Sequence, residues 1–229
     1  MAATKPSNPM ELLALWAKTS RDYPDVHHPL LFHMLDVGLV ARVLWDNALG
    51  LDFRSRFQDQ LGLSLEPTAR LISFWAGLHD IGKASPVFQS KSGAGKSSLE
   101  AVGYPFPSAV ENHAHGPISY RVLRDLLRED RGSPLSRDLS QAVALTLGGH
   151  HGAFPIPTNH IGPLSIGTGD KWTQARADLY SNLSSLLSHL PRAVPTREPD
   201  ASFFLALAGF VCVSDWIGSN EIHFPYEAA

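Results

Sequence analysis

Histidine and aspartate residues fall where long apolar helices are predicted to begin or end, and this placement constrains the chain more than any other feature. Apolar residues recur at helical spacing along most of the 229 residues, and no period-two alternation persists long enough to argue for a sheet. A segment from about Leu30 to Leu49 carries Val37, Val40, Leu44 and Trp45 on one stripe, with His33 on the same stripe one turn before Val37. A segment opening at Pro67 runs through Leu71, Ile72, Phe74, Trp75 and Leu78 straight into His79-Asp80-Ile81-Gly82-Lys83. His115-Gly116-Pro117 opens another helix, with Ile118, Val122, Leu123, Leu126 and Leu127. The next opens at Ser133-Pro134 and closes at Gly148-Gly149-His150-His151-Gly152. Asp215 lies at the end of the most apolar segment, predicted as a helix from Ser202 to about Trp216.

The remaining segments carry less information. Asn8-Pro9-Met10-Glu11 supplies a capping residue, a proline at the first helical position and a capping-box acid, predicting a short helix to about Lys18. His27-His28-Pro29 reads as a loop, Ser90 to Ser98 as a mobile surface loop rich in Gly, Ser and Lys, and Ala153 to Gly169 as a Pro/Gly-rich loop. A helix from about Lys171 to Leu190 shows Leu179, Leu183, Leu186 and Leu190 at helical spacing. The sum is six to eight helices without an internal repeat: an all-α, compact bundle in a single domain spanning 1–229, with its core from about 10 to 226. Hydrophobic residues at 44% and charged residues at 18% supply a core and give no compositional case for disorder.

Charge and cysteine usage exclude some functions. A net charge of -3 argues against holding nucleic acid by bulk positive charge, but not against a nuclease in which bound metal ions supply positive charge at the phosphate. The single cysteine, Cys212, allows no disulfide within the chain and reads as a small buried hydrophobe, consistent with a reducing cytoplasm. The N-terminal stretch lacks the apolar run of a signal peptide, and Phe203 to Val213 is too short to span a bilayer, so a cytoplasmic protein with no membrane partner is expected.

Buried charge is costly unless paired or bound to metal. His33, His79, Asp80, His115, His150, His151 and Asp215 are all predicted at or near the inner ends of apolar helices, and convergence on metal satisfies them together. Nitrogen and carboxylate donors without thiolate suit first-row transition metals better than Mg or Ca. Seven candidate ligands are too many for one ion and about right for two ions sharing a carboxylate, the usual clamp for in-line attack at phosphorus. Each residue has a plainer reading. His33 taken singly fits a hydrogen-bonded core histidine, His150-His151 an exposed loop, and Asp215 a cap or an arginine partner. Their shared placement reverses the balance. Gly95-Lys96-Ser97 imitates the end of a phosphate-binding loop, but the required earlier glycine is Ser90 and no strand is predicted before it. His27, His28, His113, His160, His189 and His223 read as surface or loop residues.

His33, His79-Asp80-Ile81-Gly82-Lys83, His115-Gly116-Pro117-Ile118-Ser119, His150-His151-Gly152 and Asp215-Trp216-Ile217-Gly218-Ser219-Asn220 occur in that order. This series resembles the HD nuclease domain of the CRISPR-associated helicase-nuclease of type I systems, a branch of the HD phosphohydrolases, from about Leu15 to Tyr226. The resemblance implies an HD-type helical bundle that hydrolyses phosphodiester bonds of single-stranded DNA with two divalent transition-metal ions (Mn, Fe, Ni or Co, in preference to Mg). It implies that His33, His79, Asp80 and Asp215 hold one ion, and that Asp80, His115, His150 and His151 hold the other, with Asp80 bridging. It places Lys83 one turn from His79, where its charge would stabilise the scissile phosphate, and Ser219 one turn from Asp215, within reach of a phosphate oxygen. Metal-activated water would attack phosphorus without a separate general base. The chain departs from the family pattern in lacking the helicase part, so a helicase domain or subunit and the CRISPR surveillance complex are the expected partners delivering DNA. Two other readings remain: an HD phosphohydrolase acting on small or cyclic nucleotides, and a metal-bound scaffold without catalysis.

Overall fold

The computed structural model describes residues 9–23, 26–109, 111–187 and 193–226. In chain order the elements are α1 (Pro9–Leu13), β1 (Trp16–Thr19), β2 (His27–Pro29), α2 (Leu30–Asn47), α3 (Leu51–Leu61), α4 (Leu65–Gly77), a 3-10 turn (Leu78–Lys83), α5 (Pro86–Gln89), α6 (Gly93–Ala101), α7 (His115–Glu129), α8 (Arg137–Gly148), α9 (Pro163–Ile166), α10 (Asp170–Leu187) and α11 (Ala201–Gly218). The all-α bundle expected from the apolar stripes is present. Leu30, Met34, Val37, Ala41 and Trp45 form the buried stripe of α2, and α2 lies against α4, α10 and α11. A core cluster including Trp75, Trp172 and Phe74 runs between these helices and α7–α8.

Two close approaches position the site. α7 and α8 meet at Gly116 and Gly148: a Cβ on Gly116 would lie 2.4 Å from the Gly148 carbonyl oxygen, so only glycine lets the backbones meet here. This contact carries His115, at the start of α7, to His150, just past the end of α8. At the 3-10 turn, a Cβ on Gly82 would lie 2.4 Å from both the His115 carbonyl oxygen and the Ser119 nitrogen. The turn therefore sits directly on the first turn of α7. α10 is tied to the same region by Arg176, which is buried and donates to the carbonyls of Ala84, Ile166 and Gly167 at 2.7–2.9 Å.

Several sequence expectations need correction. The helix expected to reach Lys18 stops at Leu13, and Trp16–Thr19 pairs antiparallel with His27–Pro29, Lys18 opposite His28. Tertiary contact wins over the capping signal here: the buried side chain of Gln89 accepts from the Trp16 nitrogen and donates to the Trp16 oxygen, holding the segment extended. Asn8, the expected cap, lies outside the described residues, as do His189 and Leu190. α3 leaves no long apolar stripe in the sequence, because polar residues fill most of it and it buries only Phe57 and Leu61. The stretch expected to be a mobile loop holds α6, capped by Ser92, whose hydroxyl accepts from the Gly95 nitrogen; Gly95-Lys96-Ser97 is thus helical, and the element directly before it is α5 rather than a strand. Cys212 is partly exposed, not buried. α11 continues past the expected apolar run and is, by length and composition, apolar enough to cross a membrane. In this fold its buried face, with Phe203, Leu207, Phe210 and Val211, packs on α2, α4 and α8, and its last turn brings Asp215 inward.

Candidate metal centre

All seven predicted ligands converge, and Asp80 is the hub. Its Oδ2 lies 2.9 Å from His33 Nε2 and 3.3 Å from His79 Nε2, and its Oδ1 lies 2.9 Å from His115 Nε2 and 3.5 Å from His150 Nε2. Asp215 Oδ1 stands 3.4 Å from both His33 Nε2 and His79 Nε2. His151 Nε2 is 3.2 Å from His115 Nε2. The donors fall into two sets, His33–His79–Asp80–Asp215 and Asp80–His115–His150–His151, each with its ligand atoms within 4.8 Å of one another.

The donor chemistry fits a cation. His79 Nδ1 lies 2.8 Å from the Ala76 carbonyl oxygen and His150 Nδ1 lies 2.6 Å from that of Leu147. A carbonyl only accepts, so Nδ1 of each ring carries a proton, which leaves Nε2 as the nitrogen able to offer a lone pair to a metal. Both Nε2 atoms are buried and without a hydrogen bond. They face carboxylate oxygens 3.3–3.5 Å away, an arrangement that calls for positive charge between them, a bound cation or, at His79, a proton.

Electrostatics point the same way. Burial lowers the pKa of His33 and of His115 below the usual histidine value, against the pull of nearby carboxylates. Burial, reinforced by His150 and His115, lowers His151 to about 4. These rings stay neutral and available to metal at physiological pH. His79 goes the other way: burial opposes its charge, but Asp80 and Asp215 outweigh it and raise the pKa to about 9. Without metal, a proton on His79 supplies the positive charge that the carboxylates demand. Asp80 stays ionised despite complete burial, through Lys83, His79 and His115, and Asp215 through His33 and His79.

Around the ligands lies a supporting layer. Ser119 Oγ donates to the His79 carbonyl (2.8 Å) and accepts from the Gly82 nitrogen (2.9 Å), fixing the 3-10 turn. Lys83, predicted to face the site, does so from inside: its Nζ lies 2.6 Å from Asp80 Oδ2 and donates to the Ala17 carbonyl at 3.1 Å. Ser219, predicted to reach a phosphate oxygen, caps α11 and donates to Asp215 Oδ1 at 2.7 Å. His28, expected on the surface, is buried. Its Nε2 pairs with Asp36 Oδ2 at 2.7 Å, and its ring stacks on Tyr226 at 4.8 Å. Sequence reasoning gave no role to Lys18, Gln89 or Ser119. Ser119 stood within the motif series, whereas a lone lysine and glutamine in loop-like context carry no signal. The cluster reaches solvent through exposed His151, through His115, whose side chain is 13% exposed, and beside Asp215 at Lys18.

Residues 16–224 match the family model described as "Cas3, HD domain". A CRISPR-associated endonuclease/helicase Cas3 of Thermus thermophilus is 33% identical over 221 residues, covering 93% of this chain and 23% of the relative. The crystal structure of the Thermus thermophilus cas3 HD domain in the presence of Ni2+ superimposes with a TM-score of 0.70 at 30% identity, covering 95% of this chain and 80% of that one. A chain in a CRISPR RNA-guided surveillance complex, pre-nicking, superimposes with a TM-score of 0.80 at 26% identity, covering 96% of this chain and 25% of that one. The chain spans about a quarter of the length of the curated relatives it matches. By the match over most of its length, the chain belongs to the family of the Cas3 HD domain.

Proposed function

We propose that this domain is a metal-dependent deoxyribonuclease, an endonuclease hydrolysing phosphodiester bonds of single-stranded DNA in CRISPR interference. The observation that carries the proposal is the pair of four-donor sets sharing Asp80, with unpaired Nε2 atoms of His79 and His150 turned inward. His33, His79, Asp80 and Asp215 would hold one ion and Asp80, His115, His150 and His151 the other. Mn, Fe, Ni or Co suits these nitrogen and oxygen donors better than Mg. Two such ions, when bound, would supply a nucleophilic water near neutral pH and would neutralise charge at the attacked phosphate.

The chain's own groups hold this arrangement. Asp80 spans both sets, and Lys83 acts through it, keeping its carboxylate charged inside the protein. Ser219 fixes the Asp215 carboxylate by a hydrogen bond. The carbonyls of Ala76 and Leu147 fix two imidazoles in the donating tautomer. DNA is delivered by a helicase and a surveillance complex, as the names of the relatives support, in the cytoplasm. The weak negative charge of the chain fits a domain to which substrate is brought.

The test is cleavage of circular single-stranded DNA by metal-stripped protein after adding back Mn, Ni, Co or Mg separately. Degradation restored by a transition metal, and absent in Asp80→Ala, is the expected result. Inertness toward DNA with every metal, alongside hydrolysis of small nucleotides, would replace this function with a nucleotide phosphohydrolase.

A further inference from the structure

Two ammonium groups stand near the metal centre, in unlike circumstances. Lys83 is 3% exposed and already engaged by Asp80 and by the Ala17 carbonyl. A phosphate could reach it only by displacing Asp80, the shared carboxylate. Lys18 is the residue after Ala17. Its side chain is 26% exposed, and its Nζ lies 3.7 Å from Asp215 Oδ1, too far for a hydrogen bond. Among the described residues Nζ has no other partner, so its donors are unused at the solvent side of the first ligand set.

The backbone under Lys18 is held firmly. Gln89 binds the backbone nitrogen and oxygen of Trp16 and the Lys83 carbonyl, tying β1 to the 3-10 turn. Lys18 pairs in register with His28, itself clamped by Asp36 and Tyr226. A fixed Cα with a four-carbon stem and a strongly hydrated point charge suits a lysine that follows a phosphate. The chain's net charge of -3 leaves attraction of an anion here to local groups. Once Asp215 shares its charge with a bound cation, less of it holds Lys18.

We propose that Lys18 contacts a substrate phosphate beside Asp215, a catalytic contact that the buried Lys83 is not placed to make. The substrate is taken from the nuclease function above, on which this inference rests.

The test is fluorescence anisotropy of a phosphorothioate single-stranded oligonucleotide binding to Ni2+-loaded wild type, Lys18→Gln and Lys18→Arg across a salt series, with metal content and thermal midpoint measured on each. Losing one charge-assisted contact predicts about tenfold weaker binding for Lys18→Gln. The slope of log affinity against log salt should shrink by about 0.7, one single-strand phosphate contact. Lys18→Arg should restore most of both, with metal content and midpoint unchanged. In steady-state cleavage, KM should rise more than kcat falls. Unchanged affinity and slope in Lys18→Gln, or loss of bound metal from it, overturns the proposal. A wild type that binds with Lys18-dependent slope but cuts nothing refutes the nuclease function alone. A wild type that cuts DNA no better than Lys18→Gln refutes the lysine assignment alone, and one that does not bind the oligonucleotide refutes both.

Discussion

His79 and His150 meet edge to face with ring centroids 4.8 Å apart, and each gives its Nδ1 proton to a carbonyl three residues earlier, Ala76 and Leu147. Both carbonyls belong to the last turn of a helix, where an oxygen weakly held by the backbone can take a side-chain donor as well; that of Leu147 also accepts from the His150 nitrogen at 3.4 Å. Ending the helix and orienting the imidazole are therefore one event, performed by α4 and α8, with both Nε2 atoms directed at the centre. Four testable consequences follow from the way Asp80, Gly82, His79 and Arg176 are held.

Asp80 is common to both donor sets and is the anion paired with buried Lys83. Asp80→Asn should abolish cleavage and drop the metal-to-protein ratio from about two toward zero. It also leaves the Lys83 ammonium buried without its anion. Metal-free Asp80→Asn should thus be less stable than metal-free wild type by about 3 kcal/mol in urea unfolding with chelator present. Full metal occupancy in the variant would show that the carboxylate is not shared.

Gly82 has no room for a methyl group, because the contacts at 2.4 Å are to backbone atoms of His115 and Ser119 that cannot rotate away. Gly82→Ala should cost about 3 kcal/mol, and it should weaken metal binding, since relief of the clash separates His79 and Asp80 from His115. Parallel urea melts and metal titrations check both. A stable variant with wild-type metal affinity would mean that the turn and α7 are not in register as described.

The bundle and the convergence of seven His and Asp side chains were legible in the sequence because both leave strong patterns: long apolar stripes, and polar residues at their ends that no solvated face explains. The hairpin was not, since Trp16 is held extended by Gln89, seventy-three residues away, and no local preference reports such a contact. α3 escaped because it buries little. Lys83 and Ser219 were placed near the site by helical spacing, but spacing does not say which neighbour takes the hydrogen bond. Here each binds a carboxylate of the centre. His28 looked like a loop residue, and its burial depends on Asp36 and on Tyr226 from the other end of the chain.

Metal uptake should release protons in a defined window. In the metal-free protein His79 holds a proton up to about pH 9, while burial keeps His33 and His115 neutral below the usual histidine value and His151 neutral to about 4. At pH 7.5 binding should therefore displace about one proton per domain, from His79. Release should vanish as pH rises through about 9 and grow as pH falls toward the lowered values of the other three. Calorimetry in buffers of different ionisation enthalpy measures the count. Release of three or more protons at pH 7.5 would contradict this assignment.

Arg176 is charged and buried, with carbonyls for partners, and burial lowers its pKa to about 10, still protonated at neutral pH. Arg176→Met would leave the carbonyls of Ala84, Ile166 and Gly167 without their donor. The expected loss is about 3 kcal/mol in denaturant unfolding, with cleavage per metal-loaded molecule close to wild type, because none of these atoms reaches the ligands. A large loss of turnover at full metal occupancy would place Arg176 in the chemistry.

The most direct measurement is anomalous diffraction from crystals of the domain grown with Mn2+. Two peaks are predicted on either side of Asp80, one among His33, His79 and Asp215, the other among His115, His150 and His151, about 3.5–4 Å apart. A single peak, or metal bound away from Asp80, would contradict the two-ion centre on which the proposed nuclease rests.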